Sequence, residues 1–155
     1  MKLRIEVEEM LKDDEIVIRC RAITPEIMQL QTRLQKEQSL FSHFVAQRGE
    51  TEYYLDFRDI LFFQTEAGHI QVHTRSEVYG TDYKLYELEK MLPPLFLRIS
   101  KSTIVNCNQI FSVSRNITAA SLVQFQDTHK QVYVSRSYYK LLQSKLKEKR
   151  INYET

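Results

Sequence analysis

Residues 96–110 read FLRISKSTIVNCNQI. Apolar side chains dominate the stretch, yet Arg98, Lys101, Asn106 and Asn108 are set among them. It also lies inside a longer run, from Lys90 to Gln126, that contains no Asp or Glu although the chain carries 20. A loop that faces phosphate needs its cations free of nearby acids. Locally, LFLRI reads as a strand and SKSTIVNCN as a loop leading into one helical turn.

On the N-terminal side of this run, YKLYELEKMLPP reads as a helix that Asp82 caps, that begins at Tyr83 and that Pro93-Pro94 stops, with Leu85, Leu88 and Leu92 on one face. Before it, DILFFQTEAGHIQVHT alternates as two strands around the turn Glu66-Ala67-Gly68, and EVYGT adds a further strand. FSHFVAQ and TEYYLDF flank RGE as another hairpin. After residue 110, QIFSVSR, SLVQFQ and QVYVS are three strands separated by turns at Asn116 and Asp127. Ser135 is placed to cap a last helix, RSYYKLLQSKLKEKR, whose Tyr138, Leu141, Leu142 and Leu146 trace an apolar stripe.

At the other end, KLRIEVEEML and DEIVIRCRAI alternate as two strands about a KDD turn. A helix follows, with Thr24 as N-cap, Pro25 at its first position and Ile27, Leu30 and Leu34 at helical spacing. The expected fold class is therefore mainly β with helices (α+β). An N-terminal ββα unit, residues 1–45, precedes a domain of small antiparallel sheets, residues 46–155.

A chain of 155 residues that is 43% hydrophobic can hold one such domain and a small appended unit. Charges interrupt every apolar residue near the start, so neither a signal peptide nor a membrane span fits, and a soluble cytoplasmic protein is expected. Cys20 and Cys107 read as reduced, buried thiols. Residues 1–90 carry 12 Lys and Arg against 17 Asp and Glu, and residues 91–155 carry 10 against 3, so the net charge of +2 divides into −5 and +7.

No nucleophile elbow, Walker loop, GxGxxG or HExxH occurs, so no enzyme, cofactor or small-molecule substrate is expected. His43, His69, His73 and His129 are scattered without structural-site spacing, so no metal is expected. Arg98, Lys101 and Arg115 in the acid-free run, with Arg136, Lys140, Lys145, Lys147, Lys149 and Arg150 near the end, form an electropositive half. Composition alone leaves two readings open: a surface for a phosphate-bearing partner, or ordinary solvated charge. The nine Tyr and eight Phe fall mostly at strand or helix-stripe positions, where core packing is the default.

In their order and separation, DILFFQTEAGHIQVHT, YKLYELEKMLPP, FLRISKSTIVNCNQI and VYVSRSYYKLLQSKL resemble the LytTR-type DNA-binding domain of bacterial transcriptional regulators, over roughly residues 50–150. The resemblance implies a sequence-specific regulator of the response-regulator kind, whose partner is double-stranded DNA. It implies loops and a helix start in the major groove rather than a recognition helix. It places contacts at His69, at Lys101 with Ser102, and at Ser135, Arg136, Ser137 and Lys140, and it makes Asn106 structural. Many members carry a second basic residue where Ser137 stands. The alternatives left open are a His69 that only tips a hairpin, an Arg98 that pairs internally, and a protein-interaction module of the same fold that docks a regulatory partner. About 45 residues precede the domain, too few for a receiver, so the resemblance implies the receiver-less kind, a homodimer at least on DNA, controlled by a partner such as a membrane protein. The ββα unit is then either the dimer or partner surface, or a packing extension of the core.

Overall fold

The computed structural model describes residues 2–12, 15–40 and 43–154, except the side chains of 36–40 and 149–154. The chain divides into two units, Met1–Gln38 and Ser39–Thr155. In the first, α1 spans Pro25–Leu40. Thr24 Oγ1 accepts from the amide of Ile27 at 3.3 Å, the expected cap, and Ile27, Leu30 and Leu34 are its half-buried positions.

The two strands expected ahead of α1 are not formed among the described residues; Asp13 and Asp14 of the expected turn lie outside them. Leu3, Ile5 and Val7 remain 98, 85 and 87% exposed. Cross-strand charge explains why alternation alone failed. The hairpin register that aligns Ile5 with Ile18, Leu3 with Cys20 and Val7 with Ile16 also sets Lys2 against Arg21, Arg4 against Arg19 and Glu8 against Glu15. Like charges directly opposite one another destabilise a strand pair, and a lone hairpin is marginal even without them. Cys20 is exposed, contrary to expectation, whereas Cys107 is buried.

The second unit carries the strands β1 His43–Arg48, β2 Thr51–Asp56, β3 Phe62–Glu66, β4 His69–His73 and β5 Val78–Thr81, then the helix α2 Leu85–Met91. Strands β6 Phe96–Arg98, β7 Thr103–Asn106, β8 Ile110–Ser114, β9 Ser121–Phe125 and β10 Gln131–Val134 follow, and α3 Tyr139–Glu154 closes it. The boundary expected at residue 45 therefore lies inside β1. Every pairing is antiparallel: a seven-stranded sheet ordered β2-β1-β5-β4-β3-β7-β6, and a three-stranded sheet ordered β10-β9-β8. This is the mostly antiparallel β architecture expected, with helices at the junctions.

Two hydrophobic cores lie on the two faces of the large sheet. Phe44, Phe63, Val72 and Ile104 on one face pack with Leu85 and Leu88 of α2. Phe62 and Val105 on the other face pack with Val123, Phe125, Val132 and Val134 of the small sheet and Leu142 of α3. Strands β3 and β7 are thus covered on both faces, and all four residues of β7 are buried. This corrects the loop reading of STIVN: a strand buried on both sides shows no alternation for a sequence pattern to reveal.

Both helix starts also shift. The chain bends at Asp82, and α2 opens with Lys84 as N-cap, whose amide donates to Glu87 Oε1 at 3.4 Å. Ser135 heads a single turn, its carbonyl accepting from Tyr138 N at 3.1 Å, and α3 begins only at Tyr139. The sheets are latched together at one end. Lys130 Nζ donates to the carbonyls of Thr74 and Glu77 at 2.7 and 3.0 Å, and Arg75 Nη2 donates to Gln109 Oε1 at 2.8 Å. No helix among the described residues is long and apolar enough to cross a membrane.

Asn106 is the clasp of this core. Only 1% exposed, it donates from Nδ2 to the carbonyls of Phe57 and Ile60 at 3.1 and 2.9 Å, and its Oδ1 accepts from Asn108 N at 3.0 Å. Asn106→Asp removes both donations and sets a carboxylate against two carbonyl oxygens. Urea unfolding should show a loss of about 3 kcal/mol or more.

Candidate nucleic-acid interface

The antiparallel order β4-β3-β7-β6 brings the start of β4, the end of β3, the start of β7 and the end of β6 to one edge of the sheet. Three segments far apart in sequence meet there, joined by backbone hydrogen bonds. Thr65 N donates to Ser102 O at 2.9 Å, tying the β3–β4 hairpin to the loop that precedes β7. Ile99 N donates to Thr103 O and Ser135 N to Ile99 O, both at 3.0 Å, tying that loop to the turn before α3.

The hairpin contributes His69, exposed and opposite Glu66 in register. Its two-residue turn, Ala67-Gly68, has φ of 50 and 82°, the mirror-image geometry that follows the twist of a hairpin. Gly68 adopts that geometry freely, while Ala67 is held in it at a cost of about 1 kcal/mol by the paired strands on either side.

The central loop is set by Arg98, whose guanidinium works inside the protein. Nε donates to Ser100 O at 3.0 Å and Nη2 to Lys101 O at 2.6 Å, while Nη1 is paired with Glu89 of α2. Ser100 Oγ accepts from Ser102 N at 3.2 Å, closing the loop on itself. Both carbonyls are thereby held inward, and the side chain of Lys101 is left exposed at the tip. Ser102 is half-buried beside it.

The third segment presents exposed Arg136, Ser137 and Lys140, with Ser135 half-buried and its hydroxyl 3.2 Å from that of Ser137. A turn running directly into a helix leaves leading N–H groups without intrahelical partners, so the donors expected at a helix start persist although α3 begins later. Arg115 lies over the ring of Tyr139, 5.0 Å from its centroid, adding a cation beside the first turn of α3. All seven residues read from the sequence as contacts thus lie in the three segments that these hydrogen bonds connect. The partners that sequence did not supply are acids: Glu89 takes up Arg98, and Glu66 turns back along the strand to His73 Nε2 at 2.9 Å.

No group of three or more His, Cys, Asp or Glu placed to hold a metal ion occurs among the described residues. His73 is stacked on Phe62, which stacks in turn on Phe125.

Residues 50–147 match the family model of the LytTr DNA-binding domain. The chain belongs to that family. Relatives of the chain include two proteins of Staphylococcus aureus named as HTH-type transcriptional regulators. One is 35% identical over 88 residues, 57% of this chain and 59% of that protein; the other is 33% identical over 92 residues, 59% and 62%. The chain thus spans about three fifths of the length of these curated relatives. A solved LytTr DNA-binding domain from Bacillus cereus shares the fold, with a TM-score of 0.61 at 22% identity over 66% of this chain and 94% of that one. In this chain no two helices follow one another among the described residues; five strands separate α2 from α3. Its LytTr edge is therefore built of loops and one helix start.

Burial holds the imidazole of His73 below its ordinary value of 6.5, against the pull of the Glu66 hydrogen bond and with Lys130 acting in the same direction as burial. The folded protein binds a proton at this ring less readily than the unfolded chain does. Stability is therefore full above about pH 6.5 and falls as the pH drops through that value toward the folded pKa. Urea midpoints at pH 7.5 and 5.5 should differ more for the wild type than for His73→Phe.

Proposed function

We propose that this edge binds double-stranded DNA sequence-specifically and that the protein is a transcriptional regulator. His69 from the hairpin, Lys101 and Ser102 from the central loop, and Ser135, Arg136, Ser137 and Lys140 from the turn and first residues of α3 enter the major groove. The observation that carries this reading is the convergence of three loops on one sheet edge, with Lys101 exposed at the tip of a loop whose carbonyls are turned inward by Arg98. The acids that reach the edge, Glu66 and Glu89, are drawn to His73 and Arg98, which lowers repulsion toward phosphate. The protein acts in the cytoplasm as a homodimer on DNA, under control of a partner such as a membrane protein.

The neutral Ser135–Ser137 hydroxyl pair favours a second reading, in which the edge docks a regulatory protein and binds DNA weakly. Fluorescence anisotropy across salt concentration separates the two. Binding should be measurable at low salt and weaken steeply as salt rises; undetectable or salt-independent binding contradicts the proposal.

Three substitutions divide the roles. Lys101→Ala should weaken binding about tenfold and relax base preference. Lys140→Ala should weaken all sequences alike and lower the salt slope by about one. Arg98→Gln should weaken binding and lose base preference as Lys101→Ala does, because it releases two loop carbonyls and leaves Glu89 unpaired beside the edge.

A further inference from the structure

Residues 2–8, KLRIEVE, are exposed and belong to no helix or strand among the described residues. Leu3, Ile5 and Val7 lie 98, 85 and 87% open to solvent, three apolar side chains exposed within one short segment. Lys2 and Arg4 precede Ile5 while Glu6 and Glu8 follow it, so the charges invert about that residue.

We infer that this segment is a self-complementary strand, and that its partner is the same segment of a second copy of this chain. Antiparallel pairing about a two-fold axis at Ile5 sets Arg4 against the partner's Glu6, Lys2 against the partner's Glu8, Leu3 against the partner's Val7, and Ile5 against the partner's Ile5. Residues opposite one another in an antiparallel pair share a face. All six apolar side chains therefore fall on one side of the ribbon and all eight charges, in four opposite-sign pairs, on the other. The arrangement is isologous and closed, as a two-fold dimer requires.

The charge order that disfavours the intrachain hairpin, where Arg4 meets Arg19 and Lys2 meets Arg21, is the order that favours the pair between copies. Among the described residues of the single chain, Arg4 has only a local partner, Glu6 at 2.9 Å, with both side chains mostly exposed at 81 and 60%. Further exposed apolar residues of the same unit, Ile16, Val17, Ile23 and Met28, are available to cover the apolar side of the ribbon. This deepens the homodimer named above and rests on none of the DNA contacts.

Sedimentation equilibrium of the full chain without DNA tests it, so that failure of strand pairing and failure of DNA binding are separable. The wild type should self-associate. Arg4→Glu and Glu6→Arg should each weaken self-association about tenfold, because each variant sets two like-charge pairs across the axis. An equimolar mixture of the two variants should restore it, each one's residue 4 meeting an opposite charge at the other's residue 6. A wild type that stays monomeric at its highest soluble concentration, variants that associate as the wild type does, or a mixture no tighter than the single variants would overturn the inference.

Discussion

Strand β7 has no face left for water. Ile104 and Val105 point into opposite cores, and the polar residues at its ends are buried as well: Thr103 accepts from Gln64 Nε2 at 3.1 Å and Asn106 holds two carbonyls across the core. A strand fixed this completely cannot slip by one residue without exchanging its two apolar sets. The loop that enters it, Ser100–Ser102, is therefore held in position relative to β3. The chain that leaves it, Cys107–Gln109, is fixed by the same clasp.

From that constraint the electrostatics of the edge follow. A loop anchored at β7 can carry a cation outward only if its carbonyls are satisfied elsewhere, and Arg98 satisfies two of them while Glu89 neutralises its charge. Within the family run, two neighbouring cations thus do opposite work. The Arg98 guanidinium stabilises the loop; the Lys101 ammonium is free for a partner. The latch of Arg75 and Lys130 ties the small sheet to the loop after β4, the end of that strand away from His69, so the turn before α3 is carried on a supported sheet.

Much of this was legible in the sequence wherever one side of an element meets water. The hairpin at Gly49, strand β4 after the Ala67-Gly68 turn, the three strands of the small sheet and the stripes of α1 and α2 show their periods because one face is polar. The structure departs where that condition fails or where charge overrides it. TIVN was unreadable as a strand because both faces are apolar. KLRIEVE read as half of a hairpin because alternation says nothing about whether opposite charges or like ones face each other. The internal role of Arg98 was left open because its partner, Glu89, lies on another element nine residues away, a distance that only the packing of α2 closes. The family runs marked the three segments that meet at this edge, but the hydrogen bonds that join Thr65 to Ser102 and Ile99 to Ser135 had no signature in the pattern.

The central claim is that three separate segments act as one DNA-binding edge. Backbone amide shifts of the labelled protein, followed by NMR during titration with a duplex carrying its selected site, test it most directly. Concerted changes are expected at Ala67–His69, Ser100–Ser102 and Ser135–Lys140, saturating at one ratio. Changes centred instead on the outer face of the small sheet, around Ile117 and Tyr133, with those three segments unmoved, would contradict it.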